Sequence, residues 1–276
     1  MRTSRTERLL GYAILVLGAV AAVYPFVSIL ALATSRPGER VSGFAVPTSL
    51  YLGNFTRAWT EGAFSWALTS SLVVAVCVVV GTIVLAVPAA YAFAHARGVA
   101  LAAVFTLMTV GLVMPYEALI IPLYEMFRGW GLLNTWWALI LPQIGLSLSF
   151  AILWLRTAFR QVPPSLEEAA SIDGASRLRT LVSVLVPVVR PAVLTLATLL
   201  FLFAWNEFLL ALVLVPDERH VQTAPLALSF FAGNRRNNDP AVTAAAAVLV
   251  ALPVLIAYVF LQRRFISGML AGAVKE

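Results

Sequence analysis

Charged residues are scarce in this chain: they make up 12% of its 276 residues, against about 25% in soluble domains. Hydrophobic residues make up 61%, above the soluble range of about 45–50%. A very apolar soluble core is also excluded, because the uncharged stretches exceed the roughly 20 residues of a membrane-crossing helix. These stretches are 9–35, 62–94, 129–155 and 240–262. The composition therefore predicts an integral membrane protein.

Lysine and cysteine each occur once, as Lys275 and Cys77. A P-loop requires a lysine in a glycine-rich context that Lys275 does not have, so the chain cannot hydrolyse ATP by that route. Cys77 has no second cysteine for an internal disulfide. The two histidines lack paired metal-ligand spacing, and no nucleophile elbow occurs. We therefore expect no enzyme, no metal and no cofactor, with any ATP bound by partner subunits.

Six apolar segments are predicted to cross the membrane, all as helices, because an open sheet edge cannot be satisfied in lipid. Glu117 and the neighbouring prolines make the third the least regular, and Asn206 and Glu207 interrupt the fifth. The first is longer than the roughly 7–15 apolar residues of a signal peptide, so we expect it to be retained. The approximate bounds are 9–33, 66–94, 99–123, 134–155, 189–215 and 241–262.

The arginine distribution predicts the orientation, since basic residues are enriched in cytoplasmic loops. With the N-terminus inside, the inner segments hold 12 of the 19 basic residues and the outer segments hold 7. We therefore expect a multi-pass protein of the cytoplasmic membrane, with both termini and the loop 156–188 in the cytoplasm. The net charge of +6 lies mainly in these flanking arginines, which argues against a nucleic-acid partner.

The loop after the fourth span carries the most informative polar pattern. Ser165 and Glu168 fit a capping box, in which Ser165 would be the N-cap of a helix and Glu168 would bond back to its amide. Gly174 stands where that helix should end, in a position that accepts the left-handed conformation. Such a structured loop favours a soluble partner on this face, although an inert connector with an ordinary helix cap fits the same residues.

A second helix is predicted after Gly174, with Pro187 closing it before the chain re-enters the membrane. One apolar stripe at helical spacing marks it. The members of the stripe are Leu178, Leu181, Val182 and Leu185.

The loop resembles the EAA loop of ABC importer permeases. Glu168-Ala169-Ala170, Gly174 and Val184-Leu185-Val186-Pro187 have the family spacing, with valine at the two apolar positions of the closing Ile-x-Leu-Pro consensus. Further matches cover most of residues 65–276 and resemble the six-span carbohydrate permease of the maltose-importer type. These are Leu132-Leu133-Asn134-Thr135, Ala138-Leu139-Ile140-Leu141-Pro142, Trp205-Asn206-Glu207-Phe208, Thr223-Ala224-Pro225-Leu226, Gln262-Arg263-Arg264-Phe265 and Ala271-Gly272-Ala273-Val274-Lys275.

The resemblance implies an all-α membrane protein with the type I ABC importer permease fold. It implies a first helix and extracytoplasmic loop in residues 1–64, and a cytoplasmic tail in 264–276. Between them, residues 65–263 would form the five-helix permease core, which includes the coupling loop 156–188.

Four kinds of partner follow from the resemblance: a second homologous permease, a cytoplasmic ATPase dimer, an extracytoplasmic sugar-binding protein and membrane lipid. Glu168 would pair with a basic residue of the ATPase, and the tail would also contact it. The implied coupling residues are Glu168, Ala169, Ala170, Asp173, Gly174 and Pro187, and the implied tail contacts are Ala271, Gly272 and Lys275.

Ionisable side chains at membrane depth are candidates for the translocation pathway. Glu117 and Glu207 are such groups, Asn206 could hydrogen-bond sugar hydroxyls, and Trp205 could stack on a sugar ring. The alternative is that Asn206 and Glu207 bond neighbouring helices and that Glu117 lies near the outer surface.

Two alternatives to the sugar importer stay open at this point. A stand-alone secondary transporter or membrane enzyme would work without an ATPase and would use Glu117 or Glu207 for an ion or a proton. An ABC importer permease for a non-sugar solute would share the loop, because the EAA motif alone does not specify the cargo.

Overall fold

The computed structural model describes residues 5–37, 39, 50–95, 98–233 and 239–273, and side chains as far as residue 259. All regular elements in these ranges are helices, in agreement with the predicted all-α class. The α-helices are α1 Arg5–Ala33, α2 Gly53–Glu61, α3 Phe64–His95, α4 Val99–Gly111, α5 Ile120–Gly129, α6 Trp136–Phe159, α7 Pro164–Ile172, α8 Arg177–Thr180, α9 Val186–Val188, α10 Arg190–Asn206, α11 Leu209–Leu214, α12 Ala224–Gly233 and α13 Pro240–Ala273.

Four of these helices are long and apolar enough to cross a membrane: α1, α3, α6 and the part of α13 up to Val259. Two further spans are bent pairs, so the described part of the chain has six spans if each pair counts as one. This agrees with the predicted six segments, although the third and fifth are broken helices.

The third predicted span breaks at a proline. α4 ends at Gly111, and a short 3-10 helix, Tyr116–Leu119, leads into α5 at an angle of 95° to α4. Pro115 lies at this break. Proline interrupts a helix because it lacks an N–H donor and pushes the residue before it out of the helical region. Residues 112–115 are therefore not α-helical within the predicted 99–123 segment.

The fifth predicted span follows a sharp bend and contains one break. Segment Arg177–Val188 meets Arg190–Asn206 at 79°, with the bend at Val189. The break follows α10 at Glu207, whose backbone is extended with ψ of 119°. The predicted segment 189–215 therefore consists of α10, a two-residue break and α11.

The chain divides into two compact units, of which the first comprises Met1–Ser65 and Ala227–Leu252. In it, the buried Asn54 amide donates to the carbonyls of Ala33 and Ser35, at 3.0 and 2.9 Å. Nη1 of Arg57 lies 2.9 Å from Oδ2 of Asp239. The hydrogen bond to Asp239, and to a smaller extent the one to Glu61, raises the pKa of the Arg57 guanidinium.

The second unit comprises Trp66–Leu226 and Pro253–Glu276 and has two apolar clusters. One joins α3, α5, α6 and α11, around Phe127, Leu139 and Leu214. The other joins the C-terminal halves of α3 and α6 to α10 and the segment before it, around Phe159 and Leu185. The second cluster attaches the 156–188 loop to the membrane helices.

Candidate functional site

The loop helix α7 begins without the predicted capping box. Pro164 is its first residue and no side chain caps it. Proline is favoured at this first position because its missing N–H would have no intrahelical acceptor there and its φ is already helical. Ser165 therefore lies inside the helix and Glu168 lies beyond its third residue, so the predicted reciprocal hydrogen bonds do not form.

The end of α7 has the expected glycine stop. Gly174 has φ of +73°, a left-handed conformation that glycine adopts without a steric penalty. Its N–H donates to Ser171 O at 3.0 Å, and the Ala175 N–H donates to Ala170 O at 2.9 Å. These two bonds form a Schellman motif, which fixes the direction of the chain between α7 and α8.

Glu167 fastens α7 to the end of the long membrane helix α3. Its Oε1 atom lies 2.6 Å from Nε2 of His95, and the Tyr91 hydroxyl donates to its other oxygen at 3.5 Å. The second His95 ring nitrogen lies 2.9 Å from the Tyr91 carbonyl. The sequence analysis did not predict this contact.

The opposite side of α7 is open to solvent. Glu168, Ala169 and Asp173 are exposed, whereas Ala170 is buried against the protein. Ile172 is 86% exposed and Leu178, at the start of the next helix, is 70% exposed. The loop thus presents a surface, formed by Glu168, Ala169, Ile172, Asp173 and Leu178, on which carboxylates and large apolar side chains occur together; we call it the loop face.

The predicted apolar stripe of the second helix is divided between core and solvent. Leu181 and Leu185 are buried, while Val182 is 57% exposed. The reason is a π-helical turn at Leu181–Leu185, whose wider i→i+5 bonding changes the angular spacing of an α-helical stripe. Pro187 is exposed and lies in α9, which continues to Val188, so the bend comes two residues later than predicted.

A cavity of about 550 Å³ lies among α4, α6 and α10. Its walls include the break between α4 and the 3-10 helix and the break after α10. The lining residues are Met108, Gly111, Leu112, Val113, Met114, Pro115, Tyr116, Glu117, Gln143, Gly145, Leu146, Ser147, Ser149, Phe150, Phe203, Ala204, Glu207 and Leu210. Non-helical backbone at membrane depth is tolerated where it lines such a cavity.

The structure separates the four residues expected in the translocation pathway. Glu117 and Glu207 line the same cavity, and Oε1 of Glu207 also accepts the N–H of Leu210 at 2.9 Å. Trp205 is 2% exposed and packs on Phe201, with ring centroids 5.6 Å apart. Asn206 is exposed outside the cavity lining and donates to its own helix, at Leu202 O. Only the two carboxylates are therefore brought together.

Gln143 is a polar cavity residue that sequence reasoning missed. It is 7% exposed and lies in α6 immediately after Pro142. An amide in the middle of the uncharged run 129–155 was the available signal, because polar groups inside membrane spans are costly.

The residues of the expected tail contacts lie at or beyond the C-terminal end of the range that the structure describes. Ala271 and Gly272 lie in the last turns of α13, where only the backbone is described, and Lys275 lies outside the described residues. Within the described ranges, no group of three His, Cys, Asp or Glu residues could hold a metal ion. The expected absence of a cofactor stays a prediction.

The helices define a multi-pass membrane protein with a structured polar loop and a cavity lined by two helix breaks. Its family is identified by similarity to known proteins. Residues 83–270 match the family model described as "Binding-protein-dependent transport system inner membrane component". This chain belongs to that family.

Individual relatives match over nearly the whole chain. The trehalose transport system permease protein SugB of Mycobacterium tuberculosis is 33% identical, over 92% of this chain and 93% of its own. The diacetylchitobiose uptake system permease protein DasC of Streptomyces coelicolor is 35% identical, over 93% of both chains.

A solved structure has the same fold. It is a chain in the crystal structure of a bacterial ABC transporter involved in the import of the acidic polysaccharide alginate, with 25% identity and a TM-score of 0.82. The match covers 96% of this chain and 99% of that one. The predicted type I ABC importer permease fold is therefore confirmed.

Proposed function

We propose that this chain is the membrane permease subunit of an ATP-driven importer that moves a carbohydrate into the cell, with both termini in the cytoplasm. Family membership carries the proposal, since two sugar permeases align over nearly the full chain. The related chain of an importer of acidic polysaccharide adds a carbohydrate cargo of another kind. The cavity of about 550 Å³ falls in the range of ligand pockets, about 300–1,000 Å³.

The loop face is the proposed docking surface for a cytoplasmic ATPase dimer. Two features support this assignment: large apolar side chains stay exposed at Ile172 and Leu178, and the Schellman motif at Gly174 holds the two helices in one arrangement. Exposed Glu168 is the proposed partner of a basic ATPase residue. Ala169 and Asp173 complete the contact, and buried Ala170 lets α7 lie close to its own membrane helices.

The attachment of α7 to α3 suggests how a movement of the ATPase reaches the membrane. Glu167 contacts His95, and Leu185 is fully buried in the cluster that joins α3, α6 and α10. Because packed helices move as rigid units between discrete arrangements, displacement of the loop is expected to shift these helices around the cavity. The cavity would then face the two sides of the membrane alternately.

The remaining partners complete the proposed assembly. A second homologous permease would form the other half of the pathway, and an extracytoplasmic binding protein would deliver the sugar. The tail residues Ala271, Gly272 and Lys275 are proposed to touch the ATPase as well. ATP would be bound by the ATPase subunits alone, since this chain has no P-loop.

The first test is to extract the tagged protein from its native membrane in mild detergent and to identify the proteins that co-purify. We expect a second permease and an ATPase, with ATP hydrolysis stimulated by a sugar-loaded binding protein. A chain that runs alone, under conditions in which known ABC importers stay assembled, would contradict the proposal. Uptake driven by a proton gradient without an ATPase would contradict it equally.

A further inference from the structure

Gln143 is the most buried of the polar residues that line the cavity among α4, α6 and α10. Gln143 is 7% exposed and lines the cavity. Among the residues that the structure describes, none forms a hydrogen bond with its side-chain amide. The amide nitrogen and oxygen keep access to the cavity, so an amide kept in an apolar helix at this wall can hydrogen-bond a ligand held there.

The backbone around Gln143 points to a ligand in the same place. Two helix breaks, at Pro115 and at Glu207, border this one cavity. Discontinuous membrane helices expose backbone groups that regular helices bond internally, and such breaks mark substrate sites in transporters. Gln143 and the two breaks are independent observations, since the amide belongs to the continuous helix α6.

Aromatic side chains form another part of the wall. Phe150 lies two helical turns after Gln143 on α6, and its ring meets that of Phe203 with centroids 6.3 Å apart and planes at 64°. Both rings line the cavity. Apolar and aromatic walls with a few placed polar groups are typical of small-molecule sites, and the C–H faces of a sugar ring pack well on such walls.

The charge of the cavity selects the kind of sugar. Glu117 and Glu207 line it, and among its described lining residues there is no lysine, arginine or histidine. Hydroxyl groups donate strong, charge-assisted hydrogen bonds to carboxylates, whereas an anionic sugar would be repelled. Ser147 and Ser149 add uncharged hydroxyl partners to the same wall.

We propose that this cavity is a subsite for an uncharged sugar or polyol, in which Gln143 hydrogen-bonds the sugar hydroxyls and Glu117 and Glu207 exclude acidic sugars. The inference rests on the proposed function and specifies it: the chain itself contacts the cargo and selects it by charge. Binding selectivity would then reside partly in the membrane subunit and not only in the protein that delivers the sugar.

The Gln143 contact is tested in the whole importer, reconstituted in proteoliposomes with its ATPase, partner permease and sugar-loaded binding protein. Gln143→Leu removes the amide while keeping a similar side-chain size, and we expect about tenfold slower uptake with the complex still assembled. Gln143→Met is the second variant, in case leucine is poorly accommodated. Thr109→Val is the matched polar-to-apolar control, because Thr109 bonds its own helix at Phe105 O and lies outside the cavity lining.

The charge preference is measured without the binding protein, since that protein has a selectivity of its own. The assembled permease and ATPase complex is heated in detergent with an excess of the transported sugar or of its uronate derivative. We expect the neutral sugar to protect it from unfolding and the uronate to protect it much less. The double variant Glu117→Gln, Glu207→Gln should narrow the difference in protection between the neutral sugar and the uronate, because it removes both negative charges. The local hydrogen bond is retained, since a glutamine oxygen at position 207 can still accept the Leu210 N–H.

The outcomes separate this inference from the proposed function. Wild-type complex that takes up no sugar with ATP would defeat the proposed function. Normal wild-type uptake that persists within twofold in Gln143→Leu and Gln143→Met would overturn only the Gln143 contact. Equal protection by the neutral sugar and the uronate, or protection by neither, would overturn the subsite and its charge selectivity.

Discussion

His95 and Glu167 join the loop 156–188 to a membrane helix, with Nε2 of the ring 2.6 Å from Oε1 of the carboxylate. Each belongs to a different part of the chain: His95 ends α3, and Glu167 lies in the middle of α7. The other ring nitrogen faces the Tyr91 carbonyl at 2.9 Å, so one side chain contacts both helices. The neighbouring Glu168 is exposed, so that of two adjacent carboxylates only Glu167 contacts the membrane helix.

The first prediction concerns this internal contact. A double-mutant cycle with His95→Ala and Glu167→Ala should give a coupling free energy of about 0.5 kcal/mol in unfolding, because both side chains are partly exposed and solvent screens the pair. Uptake should fall more than ATP hydrolysis in either single variant, since the loop can still bind the ATPase while transmitting less of its movement. Additive effects on unfolding and equal losses of uptake and hydrolysis would rule out this role.

Glu168 is predicted to act only through a partner. Glu168→Lys should leave the thermal unfolding of the isolated chain unchanged, since exposed substitutions typically change stability by less than about 0.5 kcal/mol. ATP-coupled uptake should fall at least about tenfold, because a reversed charge repels a basic partner residue. Glu125→Lys is the matched control at another exposed acidic position. Intact uptake in Glu168→Lys would count heavily against the assigned coupling role.

The apolar part of the loop face should hold the ATPase. Ile172→Asp and Leu178→Asp place charges where large apolar side chains are 86% and 70% exposed. Buried anchor residues contribute about 2 kcal/mol or more to an interface, so each variant should lose most of the co-purifying ATPase. Leu50→Asp, at a side chain 80% exposed in the other unit, should retain it. Equal recovery of the ATPase in all three variants would exclude the loop face as the interface.

Gly174 should be sensitive to backbone conformation and not to side-chain size. No heavy atom lies within 4 Å of an added Cβ, but φ is +73°, so Gly174→Ala should cost about 1–2 kcal/mol. Gly174→Asn should cost less, because asparagine tolerates this conformation better. Gly129→Ala, at an open position without positive φ, should have little effect. Unfolding in detergent measures the series, and indistinguishable alanine and asparagine variants would exclude backbone strain as the cause.

Much of the architecture was predictable because lipid imposes simple rules on sequence. Uncharged runs such as 62–94 and 129–155 had to be helices, and both became long helices, α3 and α6. Pro115 and Asn206-Glu207 marked the irregular spans, since proline and polar groups disturb a lipid-facing helix, and the breaks fall at these positions. The stop at Gly174 followed from the same kind of local rule.

Other features could not be obtained from local patterns. The capping box at Ser165 failed because Pro164 took the first position of α7, and two competing local signals were present. The stripe from Leu178 to Leu185 is divided by a π-helical turn at Leu181–Leu185, which the apolar spacing does not predict. The roles expected for Trp205 and Asn206 depended on side-chain direction after α10, which the motif does not contain.

The sequence by itself determined the class of protein, the position of its membrane segments and the presence of a structured loop, because hydrophobicity, proline and glycine act through the residues that carry them. Only the tertiary structure decided which distant groups meet. It paired His95 with Glu167 across 72 positions and brought Glu117, Gln143 and Glu207 to one cavity. Such contacts depend on helix rotation and packing between segments, which are set by the whole fold and by no single stretch of sequence.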